Sequence, residues 1–361
     1  MADNDKASSS FQTFVLCAVS SGLGTLCLAP LFGYGADGSW AYAVLLSALF
    51  ASLMTAVHSR TMHGRQADSL RAILRLILPG YVTAALLLAS GLFFIAEAGV
   101  CACSAERAIS TYLLKETPTG AILLALAFTA ALIAEPGLRF LSRCCEMLIL
   151  LLALPLVLLL VLCLANIDLR EALVSFQPDI RGVIRLMPAA LLSCGGGAAA
   201  AVFVTGRTGG NAAASSAGYL SSAVISVLLY SCAAGVFTTD GTARLEFPFI
   251  EAARSVSIGS ISLTERFDTV FITIMLTAVI LQLALFIRCA ASCFDNTFGL
   301  RGGTTFLVLP AVMAAAGFAG YGNVLEILLN VSLRGLIALT AAIPIVLAVV
   351  SWIFPKGASD A

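Results

Sequence analysis

The chain has 361 residues, 60% of them hydrophobic and 11% charged, with no formal net charge and a mean hydropathy of +1.01. That balance excludes a soluble globular domain, and the lack of a basic excess gives no footing for a nucleic-acid partner. Runs such as MLILLLALPLVLLLVLCLA lack the two-residue alternation of a β-barrel strand, so the expected class is an all-α integral membrane protein, each helix crossing about 30 Å of hydrocarbon with about 20 apolar residues.

Ten transmembrane helices are predicted, at 11–33, 40–58, 81–103, 120–134, 144–165, 186–204, 219–237, 269–287, 304–319 and 335–354. They form a single transmembrane domain over 1–361. The polar opening MADNDKASSS lacks the pattern of a cleaved leader, so residues 1–10 are read as a cytoplasmic tail and 355–361 as a C-terminal one. The connection after the second span carries Arg60, Arg65, Arg71 and Arg75 against one acid, Asp68, which assigns it to the cytoplasm. With an even number of spans both termini are then cytoplasmic. Arg139, Arg143, Arg207, Arg288 and Arg301 fall on the same side, while Asp37, Asp168, Glu171, Asp179, Asp240, Glu246, Glu251, Glu265 and Asp268 collect outside.

In the first span, VSSGLG sets Ser20, Ser21, Gly22 and Gly24 near mid-membrane, with Pro30 closing the run. The third span holds Glu97 in GLFFIAEAGVCAC. An ionisable group at that depth costs at least a few kcal/mol and must face protein or water. It is a proton-titrating site, a contact for a ligand's amino group, or a desolvated carboxyl bonded to a neighbouring helix. Glu146, three residues after Arg143 near the start of the fifth span, is expected to pair locally.

The sixth span contains LLSCGGGAAAAVFV, with Gly195, Gly196 and Gly197 consecutive. Each glycine costs about 1 kcal/mol relative to alanine in a helix, so this stretch leaves the helical path cheaply. The first and sixth of ten spans are corresponding members of two five-helix halves. Glycine-interrupted segments at matching positions point to a site at mid-bilayer in transporters built from inverted repeats, where half-helix N-termini offer amides and C-termini offer carbonyls. Close helix packing through small residues is the competing explanation.

The connection 239–267 is read as an outer-face loop carrying a short helix that Pro248 opens in FPFIEAARSV, a candidate lid. In the eighth span Thr273 and Thr277 share one face and Gln282 lies beyond them. The eleven cysteines lack paired metal-site spacing and accompanying histidines. They read as small core hydrophobes, and no metal or other cofactor is expected.

ETPTG from Glu116, EPGLRFLSRCCEML from Glu135, TARLEFPFIEAARSVSIG from Thr242 and TERFDTVFI from Thr264 together resemble the spore germination permease family, the B subunit of spore nutrient-germinant receptors. The order and spacing of these blocks match along essentially the whole chain. The resemblance implies the ten-helix fold of the amino acid, polyamine and organocation transporter superfamily, a 5+5 inverted repeat of leucine-transporter type with broken first and sixth helices. It also implies the inner membrane of the bacterial endospore, an A-type membrane subunit and a C-type lipoprotein subunit as partners, and a small nutrient, commonly an amino acid, as ligand. By position the family's pocket maps to Ser20, Ser21, Gly22, Gly24 and Thr25, to Phe93 and Glu97, to Leu192, Ser193, Cys194, Gly195 and Gly196, and to Thr273 and Thr277. Glu97 departs from the less polar pocket that a simple amino acid suggests.

Two functions need the same pocket: a receptor subunit that signals to partners, and a secondary transporter of an amino acid or related solute, with proton coupling at Glu97. An intramembrane enzyme has little to rest on, because His58 and His63 are assigned to the inner loop and no nucleophile or carboxylate pair lies near a base within a span.

Overall fold

The computed structural model describes residues 9–23, 39–65, 74–75, 78–166, 179–187, 190–191, 212–245, 247–255, 267–298, 303–319, 335, 337 and 342–353. Among these residues the regular structure is helical throughout. The helices are α1 (Ser10–Ala18), continued by a π-helical turn Val19–Leu23, then α2 (Ser39–Arg65), α3 (Gly80–Tyr112), α4 (Thr119–Ala134), α5 (Leu138–Asn166), α6 (Ala212–Phe237), α7 (Thr239–Arg244), α8 (Pro248–Ser255), α9 (Phe267–Phe298), α10 (Thr304–Ala319) and α11 (Ile343–Ile353).

Single helices long and apolar enough to cross a membrane occur at Ser39–Thr61, Gly80–Tyr112, Ala212–Phe237 and Phe271–Asp295. The expected fourth and fifth spans appear as a bent pair, Thr119–Ala134 and Leu138–Ile149, meeting at 111°. Pro136 has no amide to continue α4, and Gly137 at φ 104° takes a backbone conformation that side chains disfavour. The expected first and ninth spans appear as shorter apolar helices, Ser10–Ser21 and Thr304–Gly317. Most of the expected sixth span lies outside the described residues.

Packing is organised around α3 and α9, which pack along each other; α10 and α4 contact both, while α1 and α2 lie against α6. Lipid gives no hydrophobic drive for helices to associate, so close approach at small residues must supply the contact. A Cβ built on Gly99 of α3 would fall 2.5 Å from the Ala315 Cβ and 2.9 Å from backbone atoms of α10. One on Gly218 of α6 would fall 2.6 Å from the Phe14 carbonyl oxygen of α1. These helices therefore touch backbone to backbone.

The structure corrects two expectations. His58 is not in a loop: α2 runs on to Arg65 and buries His58 completely, because SRTMH contains no helix breaker before Gly64. Glu146 reaches across to the first helix, where its Oε2 accepts a hydrogen bond from the Gln12 Nε2 at 2.9 Å.

The short helix that Pro248 opens is present as α8, preceded by the short α7. It is held to the end of α3 by the Tyr112 hydroxyl, which donates to the Glu251 Oε1 at 2.8 Å, while Arg254 lies 3.5 Å from Glu251 and over the Tyr112 ring.

Candidate functional site

Ser9 caps α1, its hydroxyl accepting from the Gln12 amide at 3.2 Å. The helix then widens into the π turn at VSSGL, the stretch where the sequence predicts an interruption. A π turn inserts a residue and shifts the backbone pairing by one, leaving carbonyls in need of donors. Here the Cys17 carbonyl accepts the hydroxyls of both Ser20 and Ser21. The Ser222 hydroxyl of α6 lies 3.4 Å from the Ser21 Oγ, placed to donate to it. The turn packs against α6 and α9.

Glu97 lies seventeen residues after the start of α3 and fifteen before its end, about 25 Å and 22 Å along the axis. Its side chain is 2% exposed, and its Oε1 has no hydrogen-bond partner among the described residues. Phe93 and Phe94, one turn earlier, are buried with ring centroids 5.1 Å apart. Phe94 stacks on Phe286 of α9 at 6.3 Å, and Phe93 lies against Gly335, where a Cβ would meet its Cδ2 at 2.7 Å. One turn after Glu97, the Cys101 thiol donates to the Gln282 Oε1 of α9 at 3.6 Å. Gln282 is 1% exposed and its Nε2 has no partner. Buried polar atoms are normally satisfied; Glu97 and Gln282 share their unmet state with Thr83 and Glu106 of α3 and with Ser47 and Ser52 of α2, and differ in lying midway along two helices that pack on each other.

The expected site residues divide three ways. The π turn (Ser20, Ser21, Gly22) and the α3 pair (Phe93, Glu97) are carried by elements that both pack against α9. Thr273 is exposed and donates to its own helix at the Thr269 carbonyl at 2.7 Å; Thr277 is half-buried and donates to the Thr273 carbonyl at 2.8 Å. Their hydroxyls are spent on backbone rather than turned toward Glu97. Gly24, Thr25, Leu192, Ser193, Cys194, Gly195 and Gly196 lie outside the described residues. Ser222, Phe94, Phe286 and Gly335 were not singled out by sequence; the only available signal was the small-residue spacing of Gly218 and Ser222 in GYLSSA.

A family model described as spore germination protein matches residues 8–319, far more than half of the chain. The chain belongs to the spore germination protein family. No curated protein matches it. This spore germination protein is similar in structure to MhsT, solved as a crystal structure in complex with L-phenylalanine: the TM-score is 0.61 at 16% sequence identity, covering 97% of this chain and 99% of that one. At that identity the likeness is one of fold, a helical membrane fold of leucine-transporter type. The π turn of α1 falls within the helix that the inverted-repeat reading expects to be broken.

Proposed function

We propose that the chain is the nutrient-binding membrane subunit of a spore germinant receptor. A small nutrient such as an amino acid binds at mid-membrane, between the opened turn of α1, the Glu97 face of α3 and the glycine-rich stretch 192–196. Binding shifts a transporter-like core between two states, and the shift passes to an A-type membrane subunit and a C-type lipoprotein in the inner membrane of the endospore. A ligand acts this way only through unequal affinity for the two states.

The observation that supports this reading is that Glu97 Oε1 and Gln282 Nε2, midway along two helices that pack on each other, are buried without a partner among the described residues. Such groups cost free energy when nothing meets them. A bound polar ligand supplies what the chain does not.

The purified chain in sealed vesicles, offered radiolabelled amino acids one at a time, tests the reading by the number of molecules retained per protein. About one per protein, unchanged when the vesicles are permeabilised, is expected of a binding subunit. Accumulation far above one, lost on permeabilisation, makes the protein a secondary transporter instead.

A further inference from the structure

Among the described residues Glu97 has no counter-charge. Among the described residues the ion pair is Arg254 with Glu251 at the outer face, and no lysine or arginine reaches the carboxyl of Glu97. Nor does a hydroxyl or amide satisfy its Oε1. The residues one turn before it are aromatic. A helical side chain leans back toward the helix N-terminus, onto the residues three and four before it. For Glu97 those are Phe94 and Phe93, whose rings are set edge to face at 63°, with Phe286 stacked behind. Gly335, lacking a side chain, leaves room for the Phe93 ring to sit on this face.

A single carboxyl one helical turn from aromatic rings, with no cation among the described residues to meet it, is the chemistry that recognises an organic ammonium. The charge meets the carboxylate directly, and the alkyl part with its positive hydrogens lies against the negative faces of the rings. A neutral apolar ligand would leave Glu97 unsatisfied. We infer that Glu97 is the counter-ion for an ammonium group of the bound nutrient, with Phe93 and Phe94 as its wall and Phe286 backing Phe94. This rests on the nutrient-binding reading above and names the group of the ligand that α3 reads. It also assigns Gln282 a different partner from Glu97, since its free donor takes an acceptor atom.

The test uses the full chain in detergent, with binding read as ligand-induced thermal stabilisation for each of the twenty L-amino acids and for the 2-hydroxy acid counterpart of any that binds. Replacing the amine by a hydroxyl removes the group in question from the ligand, and Glu97→Gln removes its partner from the protein. The amino acid should bind Glu97→Gln at least tenfold more weakly than wild type, and the hydroxy acid should bind the two proteins equally. Equal loss of both ligands, or no loss of either, overturns the assignment and leaves the nutrient reading standing. No binding of any amino acid to wild-type protein overturns that reading first.

A measurement on wild-type protein needs no variant to fold. Propylammonium should compete with the bound amino acid and propionate should not. Competition by propionate alone, or by neither, refutes the ammonium site.

Discussion

Gly218 is where the first helix is pressed hardest against its neighbour, and the addition of one methyl group there tests the packing argument. The alanine Cβ would fall 2.6 Å from the Phe14 carbonyl oxygen, 2.8 Å from the Cys17 Cβ and 3.1 Å from the Ala18 amide nitrogen. Two of the three are backbone atoms of α1, so no side-chain rotation relieves them. Over-packing of this kind costs about 1–3 kcal/mol, and a clash with backbone belongs at the upper end. Against it stands the helix preference of alanine over glycine, about 1 kcal/mol. The net for Gly218→Ala is a loss of about 2 kcal/mol, or roughly 4 °C in Tm at about 2 °C per kcal/mol for a large chain.

The assay is thermal unfolding of the detergent-purified protein, with Gly317→Ala as control. Nothing lies within 4 Å of a Cβ at Gly317, so there the helix preference acts alone and Tm should rise or hold. If Gly218→Ala is as stable as Gly317→Ala, α1 and α6 are not in backbone contact and the packing account fails.

Three further outcomes follow from the same contacts. Tyr112→Phe removes the donor to Glu251 and should speed hydrogen exchange of the α8 amides by about tenfold, the equivalent of about 1.4 kcal/mol for a hydrogen bond to a charged group; unchanged exchange would show that Phe247 and the buried face of α8 suffice. Glu135→Ala should expose the junction before α10 to protease, because its carboxylate accepts both the Gly303 amide and the Thr305 hydroxyl, and a cleavage rate equal to wild type would contradict that. Gly195→Leu and Gly196→Leu should each abolish ligand-induced stabilisation while the protein still inserts; normal binding in both would leave these glycines with a packing role only.

Much of the architecture was legible because it depends on local composition. The ninth apolar run, bounded by Gly303 and Gly320, was delimited at Thr304–Ala319, where the structure has it. The opening of the first helix was legible at VSSGL because serine and glycine there weaken the helical path. The third helix ran nine residues past its expected end, since Glu106 and Arg107 are charged yet good helix formers, and hydropathy sees only the charge. What composition could not convey was partnership across the chain. Gln12 and Glu146 are 134 residues apart, and an ion-pair rule based on sequence neighbours gave Glu146 to Arg143. Glu97 was recognisable as costly from depth alone, but whether a neighbouring helix satisfied it depended on the rotation of α3 against α9. Thr273 and Thr277 had the right spacing for a shared face, and the spacing does not say which way that face turns.

The corner at Glu135 also has a consequence for how the protein is made. Its two partners, Gly303 and Thr305, lie 168 and 170 residues further along the chain. When the elbow between α4 and α5 leaves the ribosome, its carboxylate has nothing to hold, and it waits through the synthesis of α6, α7, α8 and α9 before the start of α10 arrives. The early part of the chain is therefore left with an open seam on its inner rim until nearly the last helix is delivered. A chain truncated before Gly303 would carry that seam permanently.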